Sequence, residues 1–270
     1  MIKLGKEIPI GRSFLIYGPT GCGKTLSALT CEQPILFINT EGKDPRVVHQ
    51  DYMKTNDISV DIDYIVPESF DDIVSFLDEC ITNAQNGDFR YKTIFFDGLT
   101  FGQTNLILEV EDSRRLVRKA TKGEYRGLVD YARFERPDWG LLNSLMVRIC
   151  NLLKKLSSMF GIDTISTAID SDAVNKRYGG KYQIAPYLQG IAFPKTIHGL
   201  FDYIGYIVSG PMLSEDGKVI RPRISFVELE GDEIVFLCRN SSSNLAKVIY
   251  EKGPVPLDFQ LIKKIITGSK

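Results

Sequence analysis

GPTGCGKT, residues 18–25, decides how the rest of the chain is read. It matches G-x-x-x-x-G-K-[ST], the pattern of a nucleotide phosphate-binding loop. The glycines let the backbone turn tightly, so that its N–H groups face phosphate oxygens. Lys24 brings a point charge to the β- and γ-phosphates, and Thr25 offers a hydroxyl to Mg²⁺. The context agrees with the motif. Ser13 to Tyr17 is a short apolar run that reads as a buried strand ending at the loop, and Thr25 to Thr30 continues as helix. The expected cofactors are therefore ATP and Mg²⁺. Gly18, Pro19, Thr20, Gly21, Cys22, Gly23, Lys24, Thr25 and Leu26 form the expected nucleotide-binding set. The loop specifies a nucleotide but not the work that the nucleotide drives.

Composition narrows that work. The chain has 270 residues, 43% hydrophobic and 25% charged, an ordinary globular balance with enough length for a large core. Lys and Arg number 33 against 34 Asp and Glu, a net charge of -1, so a nucleic-acid partner must be held by a local patch. The five cysteines (Cys22, Cys31, Cys80, Cys150, Cys238) show no C-x-x-C spacing. With His49 and His198 as the two histidines, they argue against a zinc site and for reduced thiols. No apolar run is long enough to cross a bilayer, and MIKLGKEIPIGR lacks the apolar core of a signal peptide. The expectation is a cytoplasmic protein with no membrane partner.

Further strands read at Pro34–Asn39, Tyr91–Asp97 and Ile162–Ile169, and each is a short apolar run. Ser69 with Asp72 three positions on marks a helix start, and Gly87 its end. Leu141, Leu142, Leu145, Met146, Ile149, Leu152, Leu153 and Leu156 form a helical stripe stopped by Gly161. From Tyr203 onward the pattern changes to strands at 203–208, 223–229 and 233–238, with turn signals at 215–218 and 230–232. The predicted fold class is α/β: a mostly parallel central sheet flanked by helices, extended by a C-terminal antiparallel β-meander. One domain is expected. It comprises an N-terminal extension (1–11), a nucleotide-binding core (12–200), the meander (201–245) and a C-terminal tail (246–270).

Two acids stand out. Asp97 ends an apolar strand and reads either as the acid behind Mg²⁺ or as a strand-end turn cap. Glu41 follows the second strand, taken here as the neighbour of the P-loop strand. It reads either as the group that polarises a water aimed at the γ-phosphate or as an exposed loop acid.

FINTEGKDPR (37–46) resembles the strand-Asp-Thr-Glu-Gly segment of RecA and its relatives, with Asn39 where an Asp is usual. FFDGLT (95–100) resembles the family's strand-Asp-Ser-Leu-Thr segment, with Gly98 in place of Ser. TISTAID (164–170) resembles the following strand. The order of segments over roughly residues 12–245 is similar to that of short phage and viral RecA-like ATPases described as single-strand annealing recombination proteins. The resemblance implies a RecA-like P-loop NTPase core that hydrolyses ATP. Glu41 would be the catalytic carboxylate, Asp97 the acid holding Mg²⁺ through water, and Thr167, or less directly Asp170, the γ-phosphate sensor. It also implies single-stranded DNA as partner and self-assembly into a ring or filament with nucleotide at the subunit junctions. A single-strand binding protein is a further expected partner.

Two stretches fit a DNA contact. Residues 111–140 interleave basic residues, Arg126 among them, with Tyr125, Tyr131 and Phe134, but also carry acids that would make an ion-paired helix face. Residues 170–190 read as an aperiodic loop in which Lys176, Arg177, Tyr178 and Lys181 surround Gly179-Gly180. Lys195 or Arg239 could complete a neighbouring subunit's site, and His198 reads as a packed surface histidine. The favoured function is an ATPase acting on single-stranded DNA in recombination or replication. A P-loop small-molecule or nucleotide kinase and a nucleotide-gated DNA-binding module with little turnover stay open as alternatives.

Overall fold

Ser13–Gly18 (β1) is buried along its whole length, and its side chains alternate between two cores. Phe14 and Ile16 face one side, while Leu15 and Tyr17 face the other. A strand covered on both faces belongs inside a parallel sheet, which explains why its sequence is a continuous apolar run. The computed structural model describes residues 10–121, 136–174, 179–210, 212–213 and 219–269.

Five further strands run parallel with β1. They are β2 (Ile35–Asn39), β3 (Ile62–Ile65), β4 (Thr93–Asp97), β5 (Asp163–Val174) and β7 (Tyr203–Ser209). Their spatial order is β3-β2-β4-β5-β1-β7. Beyond β7 the sheet continues antiparallel through β10 (Arg223–Ser225) and β13 (Val255–Pro256). On one face lie α2 (Phe70–Asn86) and α4 (Arg136–Phe160), which bury Leu77, Ile81, Met146, Ile149, Leu153 and Leu156 against Leu36, Ile38, Ile94 and Phe96. α2 begins with the anticipated capping box: the Ser69 hydroxyl accepts from the Asp72 N–H, and the Asp72 carboxylate accepts from the Ser69 N–H. It ends at Gly87 with φ 81°. On the other face, α6 (Ser243–Lys252) and α7 (Phe259–Thr267) place Leu245, Ile249, Phe259 and Ile262 over Phe14, Ile16, Phe37, Phe95 and Ile165. Residues 246–270, expected as a tail, thus supply much of the cover of the second face.

The structure is α/β with a largely parallel sheet and antiparallel strands toward its C-terminal end. Those antiparallel strands are arranged differently from a single meander. Tyr203–Ser209 is a core strand: Ile204 and Tyr206 enter one cluster and Tyr203 and Ile207 the other, so both faces are buried. β12 (Ile234–Phe236) does not pair with β10. It lies parallel to β6 (Tyr182–Pro186), with β11 (Leu229–Glu230) antiparallel beside it. Within 170–190, residues 170–174 and 182–186 form paired strands where an aperiodic loop was expected. β5 runs past the sheet to Val174 and pairs antiparallel with β6, from Asp170↔Pro186 to Val174↔Tyr182. The buried Tyr17 hydroxyl ties this outer ribbon to β1 through the carbonyls of Ile184 and Leu237, each 2.9 Å away.

The remaining described elements are a six-residue 3₁₀ helix at Thr25–Thr30, α1 (Pro45–Asn56), α3 (Leu99–Thr121), α5 (Ala192–Thr196), a 3₁₀ turn at Ile197–Gly199 and the short pair β8 (Met212–Leu213) and β9 (Val219–Ile220).

Candidate functional site

The carboxyl ends of the parallel strands open into a cavity of about 520 Å³. Thr20, Gly21, Gly23, Lys24, Thr25 and Leu26 line it from the P-loop, Asn39 and Glu41 from the end of β2, and Asp97 and Phe101 from β4 and α3. Gly18, Pro19 and Cys22, also in the expected set, do not line it. The Lys24 ammonium donates to the carbonyls of Gly18 and Pro19, both at 2.8 Å, and lies 3.8 Å from the Cys22 sulfur. An ammonium has three hydrogens, and the third faces the Cys22 sulfur, a weak acceptor that a phosphate oxygen could replace. Gly23 has φ +94°, and a Cβ there would stand 2.9 Å from the Pro222 ring, so the loop can pass beneath Pro222 only with glycine at this position.

Asp97 is the centre of the polar network. Only 1% of it is exposed. The Thr25 hydroxyl donates to its Oδ2 at 2.8 Å, and the Thr167 hydroxyl to its Oδ1 at 2.6 Å. The Gly98 N–H in turn donates to Thr167 at 2.8 Å. Burial pushes the Asp97 carboxyl above its ordinary range; the two hydroxyls, and then Lys24, pull it back. Thr167 is fully buried behind Asp97 and does not line the cavity. Its hydroxyl donates to Asp97 and accepts from the Gly98 N–H. Asp170 begins the paired part of the β5–β6 hairpin.

Glu41 reaches the cavity by a route that the sequence did not indicate. β2 is not the neighbour of β1, because β5 and β4 stand between them. The loop after β2 nevertheless folds back over β4. Thr40 N–H donates to the Asp97 carbonyl at 3.0 Å, and the Thr40 hydroxyl lies 2.6 Å from the Gly98 carbonyl. Asn39 closes the loop from within. Its Oδ1 accepts from the Glu41 N–H at 3.0 Å, and its amide donates to the Lys43 carbonyl at 2.8 Å. An ionised aspartate could accept the first bond but not donate the second, which accounts for Asn at this position. Gly98 has φ +101°, and a Cβ there would lie 2.7 Å from Thr40 Oγ1 and 2.8 Å from Glu41 Cγ. Burial raises the Glu41 pKa, the Asp97 charge adds to the rise, and Lys24 and Lys43 oppose it.

The sequence profile of the AAA-domain family matches residues 10–248, well over half of the chain. The chain belongs to the AAA-domain family. No curated protein shows significant similarity to it. Membership makes this AAA domain a P-loop nucleotide-binding and hydrolysing unit that uses ATP.

The donor set of the AAA domain also fits Mg²⁺. Thr25 and Asp97 present two hard oxygen donors 2.8 Å apart beside the P-loop lysine. Among the described residues, no group of three or more His, Cys, Asp or Glu could hold a metal. That pattern suits Mg²⁺, which keeps several waters and arrives with substrate phosphates, better than a cage built by the protein alone.

A second cavity of about 490 Å³ lies at the opposite ends of the strands, under α7. Of its two lysines, Lys263 is held between Asp163 (2.8 Å) and Glu32 (2.5 Å), and no phosphate-binding loop borders the cavity.

The other sequence candidates fall elsewhere. Lys181 is paired with Glu230 at 2.6 Å and donates to the Gly231 carbonyl. Arg126, Lys176, Arg177 and Tyr178 lie outside the described residues. Lys195 is exposed at the end of α5, and Arg239 is exposed and bonded to the His198 carbonyl; neither lines the cavity. His198 is half-buried, and burial followed by Arg239 depresses its pKa. One residue at the site carried no signal in the sequence. His49 of α1 is fully buried and contacts the Thr25 carbonyl. A lone histidine without spacing to another ligand gives nothing to detect. Among the described residues, no helix is long and apolar enough to cross a membrane.

Proposed function

We propose that this AAA domain hydrolyses ATP by attack of a water on the γ-phosphorus, and that it does so in the service of single-stranded DNA recombination or replication. The observation that carries the hydrolytic part is Glu41: a carboxylate in the same cavity as Lys24, Thr25 and Asp97, its loop fixed from both sides by Asn39 and Thr40. Lys24 neutralises phosphate charge, and Glu41 orients the water and takes its proton. Thr25, with Asp97 behind it, would hold Mg²⁺, which when bound neutralises charge on the phosphates. Thr167 keeps Asp97 aimed at Thr25.

The DNA part has two supports. The segment order is similar to that of RecA-like annealing proteins, and β5, which lies between the P-loop strand and the Asp97 strand, continues into a hairpin. The sequence Lys176-Arg177-Tyr178 falls between the two limbs of that hairpin, where cations can follow phosphates and an aromatic face can stack on a base. Assembly into a ring or filament, with nucleotide at the junction, is part of the same proposal. Val48 and Phe101, which border the cavity and remain partly exposed, are suited to such a contact.

Steady-state ATP hydrolysis titrated with single-stranded DNA, with Lys24→Ala as control, tests the whole reading. Turnover that rises with DNA and disappears in Lys24→Ala supports it. Turnover indifferent to DNA at every concentration removes the DNA assignment, and turnover that survives Lys24→Ala removes the site.

A further inference from the structure

A buried imidazole links α1 to the first residue after the P-loop lysine. His49 Nε2 lies 3.0 Å from the Thr25 carbonyl oxygen, and Nδ1 lies 2.8 Å from the Tyr64 hydroxyl on β3. A carbonyl can only accept, so Nε2 carries the hydrogen. Nδ1 is then bare and accepts from the tyrosine. Phe37 meets the ring edge-on, with centroids 5.3 Å apart and planes at 85°. The imidazole is thereby restricted to one tautomer and one orientation.

What the ring holds matters more than the ring itself. Thr25 is the residue whose hydroxyl donates to Asp97. The segment it opens is a six-residue 3₁₀ helix with no side-chain cap and no acid in its first turn. Hydrogen bonds of 3₁₀ type have poorer geometry than those of an α-helix, and runs beyond about 3–4 residues are uncommon. Local bonding therefore holds Thr25 weakly, and support has to come from another element. A core histidine satisfied by arbitrary partners would have no reason to take this carbonyl.

We infer that His49 is a positioning residue for the nucleotide site: with its tautomer set by the Thr25 carbonyl and its ring held at Nδ1 by Tyr64, it pins the Thr25 peptide and so directs the Thr25 hydroxyl toward Asp97 and toward Mg²⁺ brought by the nucleotide. The inference rests on the nucleotide reading given above.

Three variants separate this bond from packing. His49→Phe keeps a ring against Phe37 but has no donor. His49→Gln can donate from near the Nε2 position. Tyr64→Phe removes only the hydroxyl that holds Nδ1. Each is compared with the unaltered chain by binding of a fluorescent ATP analogue over a Mg²⁺ titration and in EDTA, alongside kcat, KM and melting temperature. Misplacing a catalytic group by about 1 Å can cost about 10²-fold, so a smaller shift in His49→Phe should lower kcat by about tenfold. It should also raise the Mg²⁺ needed for half-maximal binding by about fivefold while leaving the affinity in EDTA within about twofold. His49→Gln should recover most of both losses, and Tyr64→Phe should shift the Mg²⁺ requirement in the same direction by a smaller factor. A His49→Phe protein with an unchanged Mg²⁺ requirement, or a His49→Gln protein as impaired as His49→Phe, would overturn the inference. Should His49→Phe not fold, Tyr64→Phe decides alone, and an unshifted Mg²⁺ titration counts against. Failure of the unaltered chain to bind the analogue at all would instead remove the nucleotide reading, before any variant is compared.

Discussion

Glu41 depends on neighbours with little side chain of their own to offer. Gly98 leaves room for it, and Asn39 bonds its loop in both directions. Gly98→Ala would put a methyl group into Thr40 and Glu41 and force an L-residue to φ +101°. The expected cost is about 1–3 kcal/mol, read as a lower urea midpoint, with a fall in ATP turnover as Glu41 is displaced. The Glu41 charge state makes a second prediction. Burial and Asp97 raise its pKa, and it must be ionised to take a proton, so turnover should be present above that raised pKa and lost as pH falls through it. Lys43 opposes the rise; Lys43→Ala should therefore move the acid limb of the kcat profile to higher pH, and a limb that stays or moves lower would exclude Glu41 as its source. Glu41 itself was legible in the sequence through Thr-Glu-Gly. The reason for Asn39 was not, because it lies in a bond to a backbone carbonyl four residues away. Thr167 was legible as a polar residue near the site, but its partner, Asp97, is seventy residues away and could not be read from spacing.

At the scale of elements, periodicity located what is buried and missed what is paired through polar residues. The stripe from Leu142 to Leu156 and the capping box at Ser69 are strong local signals, and α4 and α2 lie where they indicate. Residues 170–174 and 182–186 have no apolar alternation, so their hairpin gave no sign of itself. The hairpin's return limb is held by α3 instead. The Gln103 side chain, 1% exposed, takes both backbone groups of Gln189: it accepts from the N–H at 2.6 Å and donates to the carbonyl at 3.1 Å. One turn earlier, the Thr100 hydroxyl donates to the Tyr187 carbonyl at 2.9 Å and accepts from the Ile169 N–H at 3.1 Å. α3 starts two residues after Asp97, so the same helix borders the nucleotide cavity and secures the hairpin. Gln103→Ala leaves two part-buried backbone groups without partners, and a loss of about 1–3 kcal/mol in denaturant unfolding is expected. An unchanged midpoint would mean that water replaces the amide at no cost.

At the scale of the whole molecule, the order of strands is the part that composition and motifs do not encode. β4 and β5, which come later in the chain, insert between β1 and β2, and it is this insertion that brings Asp97 at the end of β4 and Thr167 of β5 beside the loop that follows β1 and carries Thr25. The C-terminal helices are equally remote in sequence from what they cover. Phe259 of α7 meets Phe14 at 5.4 Å and Phe95 at 6.5 Å between ring centroids, and Lys263 joins Glu32 and Asp163. Phe259→Ala should therefore cost about 3–5 kcal/mol, measured by urea denaturation, although the residue is far along the chain from the P-loop. These layers hold the cavity that Glu41 and Asp97 share, and the proposed function assigns the first to the chemistry and the second to the metal. The most direct measurement of that division pairs ATP affinity with ATP turnover in Glu41→Gln. With Glu41 as the water-orienting base, affinity should stay within about threefold of the unaltered chain while turnover falls by about 10²- to 10⁴-fold. Turnover at the unaltered rate, with ATP bound, would show that Glu41 has no part in the reaction.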